Sequence, residues 1–280
     1  MEKTFFFHAQ GVGLGGVVTR PFQHLIDSRA SASLPITGGR AAASSTKHVV
    51  PDLTDPKSKD LPHVVTIERA DTDISGTREN DGIYRTTLTT AVHGLDVRGR
   101  VTADEVWARL ISEHRLDDDE PRITVEGRIE GLKIDGKPVH VEFMHETFTD
   151  LNTHSKFKNK FDQDQAFRRQ MRRQFLWGDC EAKEIPDFLA DQYKFTDAQK
   201  SIPESKGIVP CSVVKGVKGG NGFQAFNHVV VIPDFGKLYL GELLIEKKSR
   251  RITMMRFELG SPVAGSLTVA GGDGNGTGYP

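Results

Sequence analysis

The chain has 280 residues, with 37 Lys and Arg against 38 Asp and Glu and a formal net charge of -1. A hydrophobic content of 37% allows a sizeable core in one large domain or two small ones. The balanced charge excludes a global field that would attract nucleic acid or an anionic membrane, so such binding needs a local patch. Cys180 and Cys211 are too few for a disulfide framework or a four-cysteine zinc site, which favours a reducing, cytoplasmic location.

Near the N-terminus, a strand-like run leads into Gly11, Gly13 and Gly16, which have the G-x-G-x-x-G spacing of a dinucleotide-binding loop. Such a loop needs a helix directly after the glycines and an acidic residue about 20 positions later. Two valines and then Pro21 follow instead, and the stretch at the right distance, "SASLPITGG", contains no acid. The sequence therefore favours a glycine-rich turn or a bulged strand where backbones approach closely, and we expect no cofactor.

Composition divides the chain into three parts. Residues 1–60 are an irregular strand, loop and arm, because Ser, Ala, Pro, Gly and Thr interrupt every pattern. Residues 61–260 are a β-rich core with helices near 102–115 and 162–193. Residues 261–280 are a Gly-rich C-terminal tail that cannot form a core by itself.

The first expected helix is "TADEVWARLISEHR", where Thr102 and Glu105 have the spacing of a capping box. One apolar stripe accompanies them: Val106, Trp107, Leu110 and Ile111. The second begins with "DQDQAFRRQMRRQFLW", where acidic residues come first and basic residues last, as a helix dipole favours.

Strand signals dominate the rest of the core. Two strand-like runs are separated by Asp135-Gly136, a pair suited to a two-residue type I′ turn, and a bulge at Glu130-Gly131 explains a slip in the alternation. Four more runs near the C-terminus have short connections, which favour antiparallel hairpins. The fold class is therefore β-rich α+β, an antiparallel sandwich or barrel-like core with a few peripheral helices and long loops.

The polar run "VHVEFMHE" is a candidate metal site. If it is a strand, His140, Glu142 and Glu146 share one face and offer N and O ligands for zinc, manganese or iron. The alternative is a solvated polar face on a half-buried hairpin.

A second candidate comprises Asp234, which follows Pro233, together with Glu246 and Lys248 at the end of an apolar run. This pattern resembles the signature of PD-(D/E)xK nucleases. The resemblance implies that two carboxylates hold Mg²⁺ or Mn²⁺ while the lysine orients a water molecule. The alternative is that these charges form a turn between two strands.

A basic stripe completes the candidates. Arg168, Arg169, Arg172 and Arg173 repeat at helical spacing and either contact phosphates or a partner subunit, or form an ordinary solvated helix face.

No catalytic motif is strong, whereas the arm (about 20–60) and the tail (about 260–280) cannot bury themselves. The sequence therefore favours a non-catalytic, self-associating structural or scaffold protein, a homo-oligomer whose arm and tail contact neighbouring subunits. The alternatives are a metal-dependent phosphodiesterase or nuclease and a ligand-binding β module.

Overall fold

The computed structural model describes residues 4–51, 60–167 and 209–279, and the described strands form two nine-stranded sheets and a small third one. The first sheet contains β1 (Thr4–Arg20), β2 (His24–Arg29), β3 (Ala32–Ser33), β14 (Val209–Ser212), β16 (Gln224–Phe226), β17 (Val229–Ile232), β18 (Gly236–Ile245), β19 (Ser249–Leu259) and β20 (Ala264–Tyr279). The second contains β4 (Gly39–Ser45), β5 (His48–Val50), β6 (Val65–Ile67), β7 (Arg69–Arg78), β8 (Ile83–Val97), β9 (Val101–Arg115), β10 (Arg122–Glu130), β11 (Lys133–Ile134) and β12 (Lys137–Pro138). The small sheet pairs β13 (His140–Phe143) with β15 (Val214–Lys218), and the helices that lie wholly within the described residues are α1 (His145–Asp150) and α2 (His154–Gln163).

The strand order places the long strands in the middle of each sheet. In the first sheet the order is β16-β17-β18-β19-β20-β1-β2, with β14 beside β18 and β3 beside β1. In the second sheet β8 and β9 are central. β10 and β11 each pair with β9. β7 pairs with β8 and with the outer strand β4, and β6 pairs with β8 and with the outer strand β5. The predicted β-rich fold class is confirmed as antiparallel sheets packed together, and the sheets do not close into barrels.

The glycines of β1 lie where backbones and sheets approach closely. A Cβ atom at Gly11 would lie 2.8 Å from Thr72 Cγ2, and one at Gly13 would lie 2.7 Å from the Cβ of Ala70, both on β7 of the facing sheet. At Gly16 a Cβ atom would lie 2.2 Å from the Ser266 carbonyl oxygen, and the pairing of β1 with β2 slips next to this residue. The prediction of a bulged strand is therefore confirmed, and no helix follows the glycines.

The C-terminal residues are not a tail. β20 spans residues 264–279 and pairs with β1 along one side and with β19 along the other. The prediction of a separate tail at 261–280 is wrong, because glycines that cannot bury side chains still supply backbone hydrogen bonds to both neighbours.

The N-terminal part is also more regular than expected. Within residues 4–51, five strands pair with β1, with β6, with β7 or with β20. The interpretation of residues 1–60 as an irregular arm is wrong for the described part, since its Ser and Ala residues lie on short strands at the edges of both sheets.

The helix predicted near 102–115 is wrong, because this stretch is β9, the central strand of the second sheet. The regular pairing of β8 with β9 skips Gly94, whose φ is 60°, and Asp104 opposite it. We call such a skipped pair, where the regular ladder is interrupted, a crease. Across this crease the buried positions step from Ala103 to Val106, a spacing of three that resembles a helix. Beyond it, alternate residues are buried again from Val106 to His114. The expected helices near 162–193 lie outside the described residues beyond Phe167.

The first sheet has the same kind of crease. Pairing skips Gly13, Ala270, Met254 and Gly241, which lie opposite one another on four neighbouring strands. Ala270 and Gly241 have φ values of 50° and 60°. As a result both Met254 and Met255 are fully buried, although neighbours on a regular strand point to opposite faces.

The predicted turn at Asp135-Gly136 is confirmed, with φ values of 49° and 73° at the two residues. The hairpin is shorter than expected, because β11 and β12 have two residues each, while β10 pairs with β9 and β13 with β15. The break in the alternation falls at Gly131, whose φ is 63°.

A charged network lies on β18 and β19. Arg256 donates two hydrogen bonds to Glu242 at 2.6 and 2.8 Å and one to Glu258 at 2.7 Å, and its guanidinium lies 3.7 Å from the centre of the Tyr239 ring. Tyr239 and Lys237 in turn donate to Glu258. Every charge in this network has a partner of opposite sign, so its role is to hold the two strands in register.

Candidate functional site

The strand β4 lies at an edge of the second sheet. It pairs with β7 from Gly39 to Ser45 and with no other described strand. About half of the backbone N–H and C=O groups of an edge strand point away from the sheet, where they can pair with another chain. The β4 edge, defined as Gly39–Ser45, is therefore a surface on which a further strand can be added.

From Ala41 to Ser45 the side chains of the β4 edge are small. Ala41 and Ala43 face the interior opposite Ile74 and Thr72, yet both are only half-buried. Ala42 lies on the solvent face and is exposed. The described residues thus cover the sandwich incompletely along this strand, and Arg40 is the one large side chain of the β4 edge.

Charges beside the β4 edge are neutralised within the chain. Asp73 accepts hydrogen bonds from Arg40, which raises the pKa of this guanidinium. Burial raises the pKa of Asp71, but hydrogen bonds from Arg69 and from Ser44 Oγ, at 2.7 Å, outweigh burial and lower it. The strand from Ala41 to Ser45 therefore carries no net charge that would repel a second strand.

Two exposed apolar side chains lie on the same side of the sandwich. Among the described residues, the exposed large hydrophobic side chains are Leu25, 71% exposed on β2, and Ile36, 58% exposed between β3 and β4. The edge strands β2 and β3 flank β1, which packs on β7, the neighbour of β4. An interface on this side would also cover apolar surface.

Four other described edge strands are protected. β10 carries a charge at four exposed or half-exposed positions and its Ile123 N–H donates to the Asn152 carbonyl at 2.7 Å. β12 is two residues long and ends in Pro138, and β5 and β16 have three residues each. Natural sheets use short edges, charges and proline to prevent pairing, and β4 has none of these between Ala41 and Ser45.

The nuclease hypothesis is wrong, because the structure separates its residues. Asp234 lies in the turn before β18, whereas Glu246 and Lys248 lie in the turn after it. The ten residues of β18 extend over about 30 Å. Ligands of one Mg²⁺ or Mn²⁺ lie within about 3 Å of the ion, so Asp234 and Glu246 cannot share it. The expected charged turn is what the structure shows, and Ser249 Oγ donates to the Glu246 carboxylate.

The metal set is not assembled either. His140 and Glu142 share a face of β13, but the strand ends at Phe143 and Glu146 lies on α1. Hydrogen bonds from Lys215 and Lys218, at 2.7 and 2.9 Å, lower the pKa of Glu142 to about 2. Within the described ranges, no group of three or more His, Cys, Asp and Glu side chains is placed to hold a metal.

The remaining predicted residues add no site. Arg168, Arg169, Arg172, Arg173 and Cys180 lie outside the described residues. Cys211 is a buried free thiol whose pKa is raised by burial. No described helix is long and apolar enough to cross a membrane. Sequence reasoning placed residues 20–60 at an interface but did not identify β4, whose signal is the run of small, uncharged residues from Ala41 to Ser45.

The fold defines the class of protein, an antiparallel β protein of packed sheets in which no second described strand pairs with β4. Residues 5–246 match the family described as "Domain of unknown function (DUF8256)", and the chain belongs to that family. The matched stretch ends before β19 and β20, although β20 lies beside β1 in the first sheet. Comparisons with curated proteins and with solved structures each gave no match.

Proposed function

We propose that the protein is a non-catalytic structural subunit that self-associates through the β4 edge. The observation that carries this proposal is the β4 strand itself, which among the described strands is paired along one side only and is free of charge and proline from Ala41 to Ser45. In this proposal the N-terminal part contacts neighbouring subunits, whereas β20 does not, because both of its sides are paired within the chain.

The simplest assembly is a dimer in which the β4 strands of two copies run antiparallel about a twofold axis. Such an interface is self-complementary, because the same residues contribute from both sides. Pairing seven residues adds about six backbone hydrogen bonds and joins the second sheets of the two copies into one continuous sheet. The buried free thiol of Cys211 agrees with a reducing compartment, and we place the assembly in the cytoplasm.

The test is the mass of the full-length protein in solution between about 1 and 100 μM, by sedimentation equilibrium. We expect a dimer, and we expect Ala42→Lys to weaken it. Ala42 is exposed, so a lysine there leaves the monomer fold intact, but the two lysines lie near each other across the twofold pair. Like charges opposite each other on paired strands cost about 1 kcal/mol, or about a fivefold weaker association.

The matched control is Ala225→Lys, an exposed alanine on β16, which is an edge strand of the other sheet. We expect this variant to dimerise like the wild type. A monomeric wild type at 100 μM, or equal weakening by both substitutions, would refute the proposal.

A further inference from the structure

A polar cleft lies on the outer face of the first sheet. It has a volume of about 410 Å³ and is lined by β1, β3, β19, β20 and the segment between β2 and β3. Cβ atoms at Gly11 and Gly272 would point to Leu88 of the second sheet, so the neighbouring side chains on β1 and β20 point the other way, into the cleft. The size is within the range of small-molecule sites. We call this the Asp273 cleft.

Asp273 has hydrogen-bonding capacity left over. Its side chain is 14% exposed, and its Oδ2 atom is 3.5 Å from Gln10 Nε2, 3.5 Å from Arg251 Nη2 and 3.9 Å from His8 Nε2. Its Oδ1 atom is buried and has no hydrogen-bond partner. A carboxylate accepts about four hydrogen bonds, and leaving a buried oxygen unpaired costs about 1–3 kcal/mol.

The rest of the lining is rich in hydroxyl groups. Ser28, Ser31, Ser33, Thr253 and Thr268 line the Asp273 cleft. Within the described part of the chain, none of these hydroxyls makes a side-chain hydrogen bond. Each hydroxyl can both donate and accept, so together they form a set of groups that can hydrogen-bond a ligand or water.

The charge of the cleft selects between classes of ligand. Arg251 and Asp273 are its two formally charged lining residues, and they neutralise each other. A neutral cleft offers no net attraction to a free anion or cation. The absence of a side chain at Gly271, whose Cβ atom would lie beside Thr268 and Thr253, leaves the floor open to close approach.

We propose that the Asp273 cleft binds a neutral polyhydroxylated ligand, a saccharide or polyol. Ligand hydroxyls would donate to Asp273 Oδ2, accept from Arg251 and Gln10, and do both with the serines of the β2–β3 segment. This inference goes beyond self-association and does not depend on it, because the cleft is built from one copy of the chain.

The experiment is isothermal titration calorimetry of the full-length protein with neutral probes, namely glucose, mannitol, maltotriose, cellotriose and tri-N-acetylchitotriose. Glucose 6-phosphate and spermidine serve as charged probes. We expect at least one neutral probe to bind with a millimolar or lower Kd, and the charged probes to bind at least tenfold more weakly. Asp273→Asn should weaken binding at least tenfold. Asp119→Asn, at an exposed position in the β9–β10 turn, is the matched control and should leave binding unchanged.

A second variant keeps the proposal testable if Asp273→Asn impairs folding. Ser31 is exposed in the loop that borders the cleft, so Ser31→Tyr should fill the opening without altering the carboxylate. We expect it to abolish binding with an unchanged unfolding midpoint. No binding of any neutral probe at 50 mM, preferential binding of a charged probe, or binding that survives Ser31→Tyr would each overturn the proposal.

Discussion

Two neighbouring glycines on β1 offer a sharp test of why this strand is rich in glycine. A Cβ atom at Gly16 would lie 2.2 Å from the Ser266 carbonyl oxygen and 3.0 Å from the Leu267 Cα atom, so backbone would have to move by about 1 Å. At Gly15 a Cβ atom would lie 3.5 Å from Ser28 Oγ, which is an ordinary contact. Gly16→Ala should therefore destabilise the fold by about 3 kcal/mol, the upper end of the range for overpacking.

Gly15→Ala should be neutral or stabilising by up to about 1 kcal/mol, because alanine has less conformational freedom than glycine in the unfolded chain. The assay is equilibrium unfolding in urea with tryptophan fluorescence. A difference of about 3 kcal/mol between the variants corresponds to about 1 M in the urea midpoint at an m-value near 3 kcal/mol per M. Equal stability of the two variants within about 0.5 kcal/mol would refute the close-approach explanation and reopen the question of what these glycines do.

Three further outcomes follow from charged and titratable groups. Burial lowers the pKa of His228 to about 3, so below about pH 6.5 the unfolded state binds a proton that the folded state does not. The free energy of unfolding should therefore fall as the pH falls from 6.5 towards 3. In urea unfolding at pH 4–6, His228→Gln should remove up to about 1.4 kcal/mol per pH unit of that slope. NMR titration of the folded protein should give Glu142 a pKa of about 2. The ionised Glu142 then stabilises the fold above pH 4.5, and this stabilisation is lost as the pH falls towards 2. A measured pKa near 4.5 would contradict the lysine contacts. Arg256→Ala leaves the Glu242 carboxylate without its cationic partner, whereas Glu258 keeps Lys237 and Tyr239. The substitution should cost about 3 kcal/mol in thermal unfolding, and a loss below about 1 kcal/mol would show that the network is dispensable.

The β9 strand shows why part of the fold escapes sequence reasoning. Its residues include good helix formers, and its crease at Asp104 shifts the buried positions by three. Local spacing is then the same for a helix and for a creased strand, and the difference is decided by β8 and β10, which lie on either side. Where no crease interrupts the strand, as in β10, the alternation of apolar residues predicted the structure correctly.

The candidate site could not be predicted from the sequence for a related reason. The strands β4 and β20 are both built largely of Gly, Ala, Ser and Thr, and their pairing depends on backbone hydrogen bonds that leave no pattern in the side chains. Sequence therefore favoured treating both as loose segments that contact neighbours. The structure separates them by position, since β20 is paired on both sides and β4 on one. On the side of β4 where no described strand lies, the backbone groups can pair with water or with another chain. In the proposed dimer the second copy pairs with these groups and also buries Ala41 and Ala43, which water does not do.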